Sequence, residues 1–387
     1  VLLITIVLLC SSCQLLTQRT KTEQEFRGVW IATTLNLDYP SKSGLSADAL
    51  REEADALLDQ ARDLGMNAVI FQVRPCGDAI YPSDYYPWAQ VLSGTQGVAP
   101  DEEFDALAYW VAGAHKRGLA IHAWVNPFRV TQGSKNALSE NNPARLHPDW
   151  MIRYSDGKSY LNPGIPEVRQ YVVDGVREIV KRYAVDGIQF DDYFYPGKDF
   201  PDSDTFAEYG TGGLLDWRRE NINALIEETR DAVHQERSDV LFGVSPFGIW
   251  RNLVSTTDGS ATYGLESYVD HATDSRRWVK EGWVDYIAPQ LYWSIGDKAG
   301  DYEALLDWWS DVVHGTGVKL YIGHAGYRAL EAEPGSVWDG AEEIKRQLAM
   351  NHTRPDVSGS IHFRIGTYLK TPELVDALKS EYLKDVE

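Results

Sequence analysis

Residues 186–196 read DGIQFDDYFYP. Ile188 and Phe190 stand two apart, the spacing that places both side chains on one face of a β-strand. If that pair meets a packed layer, Gln189, Asp191 and Tyr193 turn to the opposite face. The segment then runs out in two carboxylates, aromatic rings and Pro196. Burying an unpaired carboxylate is costly, so acids at the end of an apolar strand mark a place where the fold needs charge.

Seven further runs of the same kind lie on either side of it: FRGVWIAT (26–33), NAVIFQVRP (67–75), LAIHAWVNPF (119–128), LFGVSPFGIW (241–250), VDYIAPQLYW (284–293), KLYIGHAGY (319–327) and SGSIHFRIG (358–366). Helical patterns follow nearly all of them, at 49–64, 104–117, 168–183, 216–236, 302–314 and 341–350. Eight strands alternating with helices predict an α/β fold, a (β/α)8 TIM barrel. Helix-to-strand turns are short, as at 63–67 and 117–119. Strand-to-helix loops are long, at 75–103, 129–167, 196–215 and 251–268. The elaboration thus lies on the face where barrel enzymes keep their active sites.

The same alternation phases the other strands. Val69, Phe71 and Val73 are expected to face the helices, with Gln72 and Arg74 inside. Ile121, Ala123 and Val125 face out, with His122, Trp124 and Asn126 inside. Ile287 and Leu291 face out and Gln290 and Tyr292 in, and Ile361, Phe363 and Ile365 face out and His362 and Arg364 in. This predicts a polar, hydrogen-bonding interior near the strand ends rather than the usual branched aliphatic filling.

Bulk properties narrow the function. The 387 residues are 43% hydrophobic and 24% charged, enough for a large core. With 57 acidic against 37 basic residues the net charge is −20, which repels nucleic acid and anionic lipid surfaces. Residues 1–9 are apolar apart from Thr5, too short to span a bilayer but suited to a secretory signal. Ser11-Ser12-Cys13 resembles the end of a bacterial lipobox, although Cys10 stands where Leu is usual. Residues 1–22 are therefore expected to be signal peptide, lipobox and tether, with Cys13 lipidated; a plain cleaved signal is the alternative. Residues 23–387 form the barrel. Gln14 replaces the Asp that retains lipoproteins in the inner membrane. In a Gram-negative cell this predicts an exported, lipid-anchored protein on the outer membrane, facing the periplasm. Cys76 is the one cysteine left in the body, expected to be a buried small residue.

Asp191 is the first candidate for catalysis, because glycoside hydrolysis needs a carboxylate to attack or stabilise an oxocarbenium-like centre. A structural ion pair with Arg74 or Arg364 is the competing reading. Asp192 can join Asp191 only where the backbone turns, since neighbours on a regular strand point opposite ways. A second carboxylate about 5–9 Å away is required, and Asp78, Asp274, Glu102 and Glu103 are further candidates. The chain carries 13 Trp, 21 Tyr and 11 Phe. Several fall near the long-loop face, among them Tyr81, Tyr86, Trp88, Tyr195 and Trp250. Sugar rings pack their C–H faces on such rings. Arg74, Asp78, Trp124, Asn126, Tyr193, Gln290, Tyr292 and Trp293 form the expected sugar-binding set. The 9 His are scattered without ligand spacing, so no metal and no cofactor is expected. His122 and His362 read as interior hydrogen-bonding groups. Ser245 lacks the flanking glycines of a nucleophile elbow.

FRGVWIAT, FQVRPCGDAIYPS, HAWVNPFR, YLNPGIPEVRQYV, VDGIQFDDYFYP, FGVSPFGIWRN, DYIAPQLYW and LYIGHAGY together resemble the glycosyl-hydrolase-like family ten, formerly a domain of unknown function. The resemblance runs from about Phe26 to about Leu374. It implies a glycosidase acting on peptidoglycan glycan strands, including strands stripped of their peptides, with cell-division or cell-wall proteins as partners. DGIQFDDY is also similar to the fourth-strand motif of family 18 chitinases. There Asp186 and Asp191 match two motif acids, but Gln189 and Tyr193 replace an Asp and the general-acid Glu. α-Amylase-type barrels carry their nucleophile at the place matching Asp191. The expected function is hydrolysis of peptidoglycan glycan or a related amino-sugar polymer. A barrel that binds wall glycan without cutting it, and an exported hydrolase of another polysaccharide, are the alternatives.

Overall fold

The computed structural model of the chain describes residues 24–133, 137–192 and 194–384. Cys13 and the rest of the predicted signal and tether (1–22), residue 23 and Tyr193 lie outside the described residues.

Eight parallel strands close into a barrel: β1 (Phe26–Ile31), β2 (Ala68–Arg74), β3 (Ala120–Val125), β4 (Gly187–Phe190), β5 (Leu241–Val244), β6 (Tyr286–Ile287), β7 (Lys319–Ala325) and β8 (Val357–Phe363). β1 pairs with both β2 and β8, so no edge is left open. Each strand is followed by a helix: α1 (Ala47–Asp63), α2 (Ala106–Lys116), α3 (Pro166–Arg182), α4 (Leu214–Glu236), α5 (Ser275–Lys280), α6 (Tyr302–Val313), α7 (Glu342–Asn351) and α8 (Pro372–Tyr382). The strands are shorter than the apolar runs that predicted them. Residues such as 191, 192, 194 and 245–250 leave the ladder and build the rim instead.

The helices form for local reasons. In α1, Leu50, Ala54, Leu58 and Ala61 repeat every three or four residues and are all buried. Ser46 caps it by accepting the Ala49 N–H at 3.3 Å. In α3, Pro166 opens the first turn, where its missing N–H costs nothing, and Val168, Val172, Val176 and Ile179 line the face against the sheet.

Inside the barrel the lower layers are aromatic. Phe26 stacks on Tyr321 at 4.2 Å between centroids, and the Tyr286 hydroxyl meets His122 Nδ1 at 2.9 Å. Glycine makes room for these rings: a Cβ on Gly243 would lie 2.2 Å from the Tyr286 ring. Higher up, Trp30 Nε1 donates to Gln189 Oε1 at 3.2 Å, and Gln72 Oε1 accepts the N–H groups of Thr33 and Thr34 at 3.1 and 2.9 Å.

Two of the predicted strand phases are corrected. Between Gln72 and Arg74 the register of β2 against β3 shifts, so that alternation breaks. Arg74 therefore leaves the barrel and lies 4.2 Å over the Tyr86 ring, close against Gly175 of α3. In β8 the two faces are exchanged. Ile361 and Phe363 pack inside with Trp30 and Tyr321. His362 faces out, where the Tyr368 and Tyr382 hydroxyls meet its two nitrogens at 2.8 and 2.9 Å. The helix layer supplies polar partners there, so a polar side chain did not have to point inward. Arg364 lies beyond the strand and pairs with Asp38 and the Leu37 carbonyl.

Candidate active site

β4 ends at the buried Phe190, and the next two residues leave the strand. The backbone bends at Asp192, where the Phe194 N–H donates to the Asp192 carbonyl at 3.1 Å. Strand alternation no longer applies, so both Asp191 and Asp192 line one cleft of about 490 Å³ at the carboxyl ends of the strands.

Asp191 is held from β3 and the segment that follows it. Trp124 Nε1 donates to its Oδ2 at 3.1 Å, and Asn126 Nδ2 reaches both of its oxygens at 3.1 and 3.0 Å. Asn126 Oδ1 in turn accepts the Arg129 backbone N–H at 2.9 Å. The Arg129 guanidinium donates to the Pro75 carbonyl at 3.2 and 2.9 Å, tying the ends of β2 and β3 together beneath the carboxylate. Asp192 meets the side chain of Gln290, which also donates to the Ser245 carbonyl at 3.1 Å.

Burial pushes the Asp191 carboxyl up to about 6, and the adjacent Asp192 charge adds to the rise. The positive charge of Arg129 and the donors on Trp124 and Asn126 oppose it. Burial likewise raises Asp192 to about 6, against Gln290 and Arg129. Two carboxyl groups that exchange protons near neutral pH are what acid–base work requires.

The cleft walls combine rings with amides and one ammonium. Trp30, Phe247, Tyr292, Tyr327 and Phe363 supply apolar faces, while Gln72, Gln132, Gln290 and Lys158 supply polar groups. Tyr292 sits 5.9 Å from Tyr327 and 6.1 Å from Phe363, ring centre to ring centre. Such a surface matches a sugar, which offers C–H faces and a rim of hydroxyls.

Of the residues predicted from sequence, Asp191, Asp192, Trp124, Gln290 and Tyr292 come together in this cleft. Asn126 lies just behind it, its side chain bonded to Asp191 and to the Arg129 N–H. Its position holds the Asp191 carboxylate in place. Asp78 lines a neighbouring cavity. Two expectations are corrected by position. Arg74 is turned away behind the β2 bulge. Trp293 sits behind Phe247, at 5.4 Å, with its ring against Gly300. The other proposed second carboxylates are placed elsewhere. Asp274 accepts the Trp250 indole N–H at 3.1 Å, and the exposed Glu102 pairs with Arg51 at 3.3 Å. Asp186 lies at the opposite end of β4, meeting His115 at 2.9 Å and the Ile121 N–H at 2.8 Å. Neither Arg74 nor Arg364 pairs with Asp191; Arg129 is the nearby cation.

A family model described as "Glycosyl hydrolase-like 10" matches residues 25–336. The chain belongs to the glycosyl hydrolase-like 10 family. By that membership it is a glycoside hydrolase, and curated relatives agree. It is 44% identical over 362 residues to glycosyl hydrolase YngK of Bacillus subtilis (strain 168), covering 91% of this chain and 70% of that protein. It is 40% identical over 386 residues to glycosyl hydrolase DigH of Escherichia coli (strain K12), covering 92% of this chain and 87% of that one. Among solved structures, the PgaB (BpsB) glycoside hydrolase domain from Bordetella bronchiseptica shares the fold, with a TM-score of 0.59 at 14% identity over 92% of this chain and 98% of that one. The catalytic domain of β-amylase from Paenibacillus polymyxa does so with a TM-score of 0.55 at 13% identity, over 93% and 99% of the two chains.

For this family member, sequence reasoning missed Arg129, Trp30, Phe247, Tyr327 and Phe363 as parts of the site. Trp30 was within reach: phasing FRGVWIAT by Val29 and Ile31 turns it inward. Arg129 follows HAWVNPF in sequence but returns beneath the site only through the turn that Asn126 closes.

Among the described residues, no group of three or more His, Cys, Asp or Glu side chains is gathered so as to hold a metal ion.

Proposed function

We propose that the chain hydrolyses glycosidic bonds of peptidoglycan glycan strands, or of a closely related amino-sugar polymer. Asp191 is the carboxylate that attacks or stabilises the sugar centre, and Asp192 delivers the proton to the leaving oxygen. The observation that carries this reading is the pair of carboxyls in one ring-lined cleft, both raised to about 6. Trp124 and Asn126 stabilise the ionised form of Asp191, which suits it to face positive charge. Burial dominates at Asp192 over its own backbone N–H, the Gln290 amide and the charge of Arg129, which suits it to carry a proton. Gln290, Tyr292 and Trp124 place the sugar.

Export and lipidation at Cys13, with anchoring on the outer membrane of a Gram-negative envelope, complete the reading, on the strength of the Ser11-Ser12-Cys13 pattern and Gln14. Cell-division or wall proteins are the partners that follow from that location.

The deciding experiment incubates the purified chain with peptide-free sacculi, chitin and α-glucans and analyses the soluble products by mass spectrometry. Muropeptide-free disaccharides or oligosaccharides from sacculi are expected. Products from α-glucans alone would replace the substrate with an environmental polysaccharide.

A further inference from the structure

Among the described residues, Lys158 brings the one ammonium to the lining of the catalytic cleft, in a chain of net charge −20. The backbone on either side fixes its place. Residues 151–153 and 159–161 form an antiparallel hairpin, closed where the Tyr154 N–H donates to the Lys158 carbonyl at 3.0 Å. The segment after β3 docks on this hairpin. Val130 and Thr131 donate their N–H groups to the Ser159 carbonyl at 2.8 and 3.3 Å, and the Thr131 hydroxyl accepts the Ser159 N–H at 3.0 Å. Lys158 is thereby held on the β3 side of the cleft. Tyr292, Tyr327 and Phe363 come from the ends of β6, β7 and β8, and the ring order of the strands sets β7 across the barrel from β3. The ammonium thus stands across the cleft from the aromatic wall.

This charge has little structural work to do. Its ion-pair partner, Asp156, lies 3.4 Å from Nζ. Asp156 already accepts the Lys158 backbone N–H at 2.9 Å and the Tyr160 hydroxyl at 2.8 Å. A long, part-exposed ion pair adds little to stability. Nor does the ammonium act on the second catalytic carboxyl, since Arg129 is the cation that lowers Asp192. A lysine head is a strongly hydrated point charge on a flexible stem, and a ligand filling the cleft strips water from it. A neutral sugar returns only hydroxyls. A sugar that carries an anion, seated against the aromatic wall, returns a charge of opposite sign.

We infer that Lys158 selects a carboxylated sugar, its ammonium binding a carboxylate carried on a sugar unit in the cleft. The inference rests on the reading of the substrate as wall glycan, where that group is the free lactyl carboxylate of N-acetylmuramic acid. Uronic acids offer the same chemistry. A charge-assisted hydrogen bond is about twice as strong as a neutral one, so the pairing discriminates against uncharged sugars.

The test uses the full chain carrying Asp191→Asn, titrated calorimetrically at neutral pH with four tetrasaccharides. One is of N-acetylglucosamine, and one alternates N-acetylglucosamine with N-acetylmuramic acid. The third is that same ligand with its carboxyls converted to methylamides, and the fourth is of galacturonic acid. The free muramic ligand is expected to bind about tenfold tighter than the two neutral ones. High salt should narrow the margin. Lys158→Met should erase the preference, and Lys158→Arg should keep most of it. Lys158→Met should melt as its parent does, because Asp156 retains two donors. Comparing the acid with its amide needs no substitution at 158, so a variant that fails to fold leaves that comparison intact. Equal affinity for the acid and its amide, or a preference that survives Lys158→Met, overturns the assignment. Tight binding of the galacturonic ligand alone, lost in Lys158→Met, keeps the carboxylate subsite and moves its source to a uronic polymer. Release of products from peptide-free sacculi by the wild type is read separately. Turnover without acid preference sinks the role of Lys158 alone, whereas acid preference without turnover on sacculi sinks the wall-glycan reading alone.

Discussion

Asn126 donates its side-chain amide to both oxygens of Asp191 while its own carbonyl oxygen holds the Arg129 backbone N–H. One side chain thus links the carboxylate to the loop that brings a positive charge beneath it.

Asn126→Ala should loosen that link. The expected result is a fall in kcat of about 10- to 100-fold with little change in KM, because the residue positions a reacting group without touching sugar. Losing the donor also removes a force that lowers the Asp191 pKa. The acid side of the pH–rate profile should therefore move to higher pH, a change that simple loosening of the fold does not produce.

Asp191→Asn should lower turnover by about a thousandfold or more, as expected for a group that acts on the reacting centre. Circular dichroism should show an unchanged fold, so that the loss is one of chemistry.

The pH dependence of stability carries two opposed contributions. Asp78, Asp191 and Asp192 are raised by burial to about 6. The fold keeps protons on them that the unfolded chain has released, so their penalty is full above pH 6 and fades toward pH 4. His122 and His324 are lowered from 6.5 to about 4 and His362 falls further. The unfolded chain protonates them first, so they cost stability as the pH falls below 6.5. Asp191→Asn removes one of the compensating carboxyls. Its melting temperature should equal or exceed that of the wild type at pH 8 and should drop more steeply between pH 6.5 and 4.5. Parallel curves would refute the assignment.

Tyr292→Ala strips a ring from the cleft wall. We expect KM for glycan to rise about tenfold with kcat within about threefold, since stacking on a sugar face acts in the ground and transition states alike.

Gly243→Ala puts a methyl group into the Tyr286 ring, whose hydroxyl meets His122. Overpacking of this kind costs about 1–3 kcal/mol. A lowered thermal midpoint is expected, with the active-site carboxyls untouched.

The barrel was legible because eight apolar runs and their helices carry the two periodicities in plain form. The centre of the site was legible too, since DGIQFDDYF pairs an apolar face with terminal acids. What escaped depended on contacts between residues far apart in the chain. His362 reads as an interior residue until Tyr382, twenty positions on, is seen to satisfy it from outside. Arg74 reads as a rim residue because the register shift after Gln72 leaves no mark in the residues of β2 themselves. Asp192 was legible as a candidate only on condition that the backbone turns there, and the bend at Asp192 lets it face the same space as Asp191.

The stacked rings of Phe26, Tyr286 and Tyr321 stop up the barrel axis beneath the carboxylates. The molecule is accordingly a cup with one opening, not a sleeve. A long polymer cannot be threaded through it, and whatever is cut must arrive and depart by the same side. A glycan strand bound as proposed lies sideways over the lip, dipping a single linkage toward Asp191 and Asp192 while its remaining length stays outside.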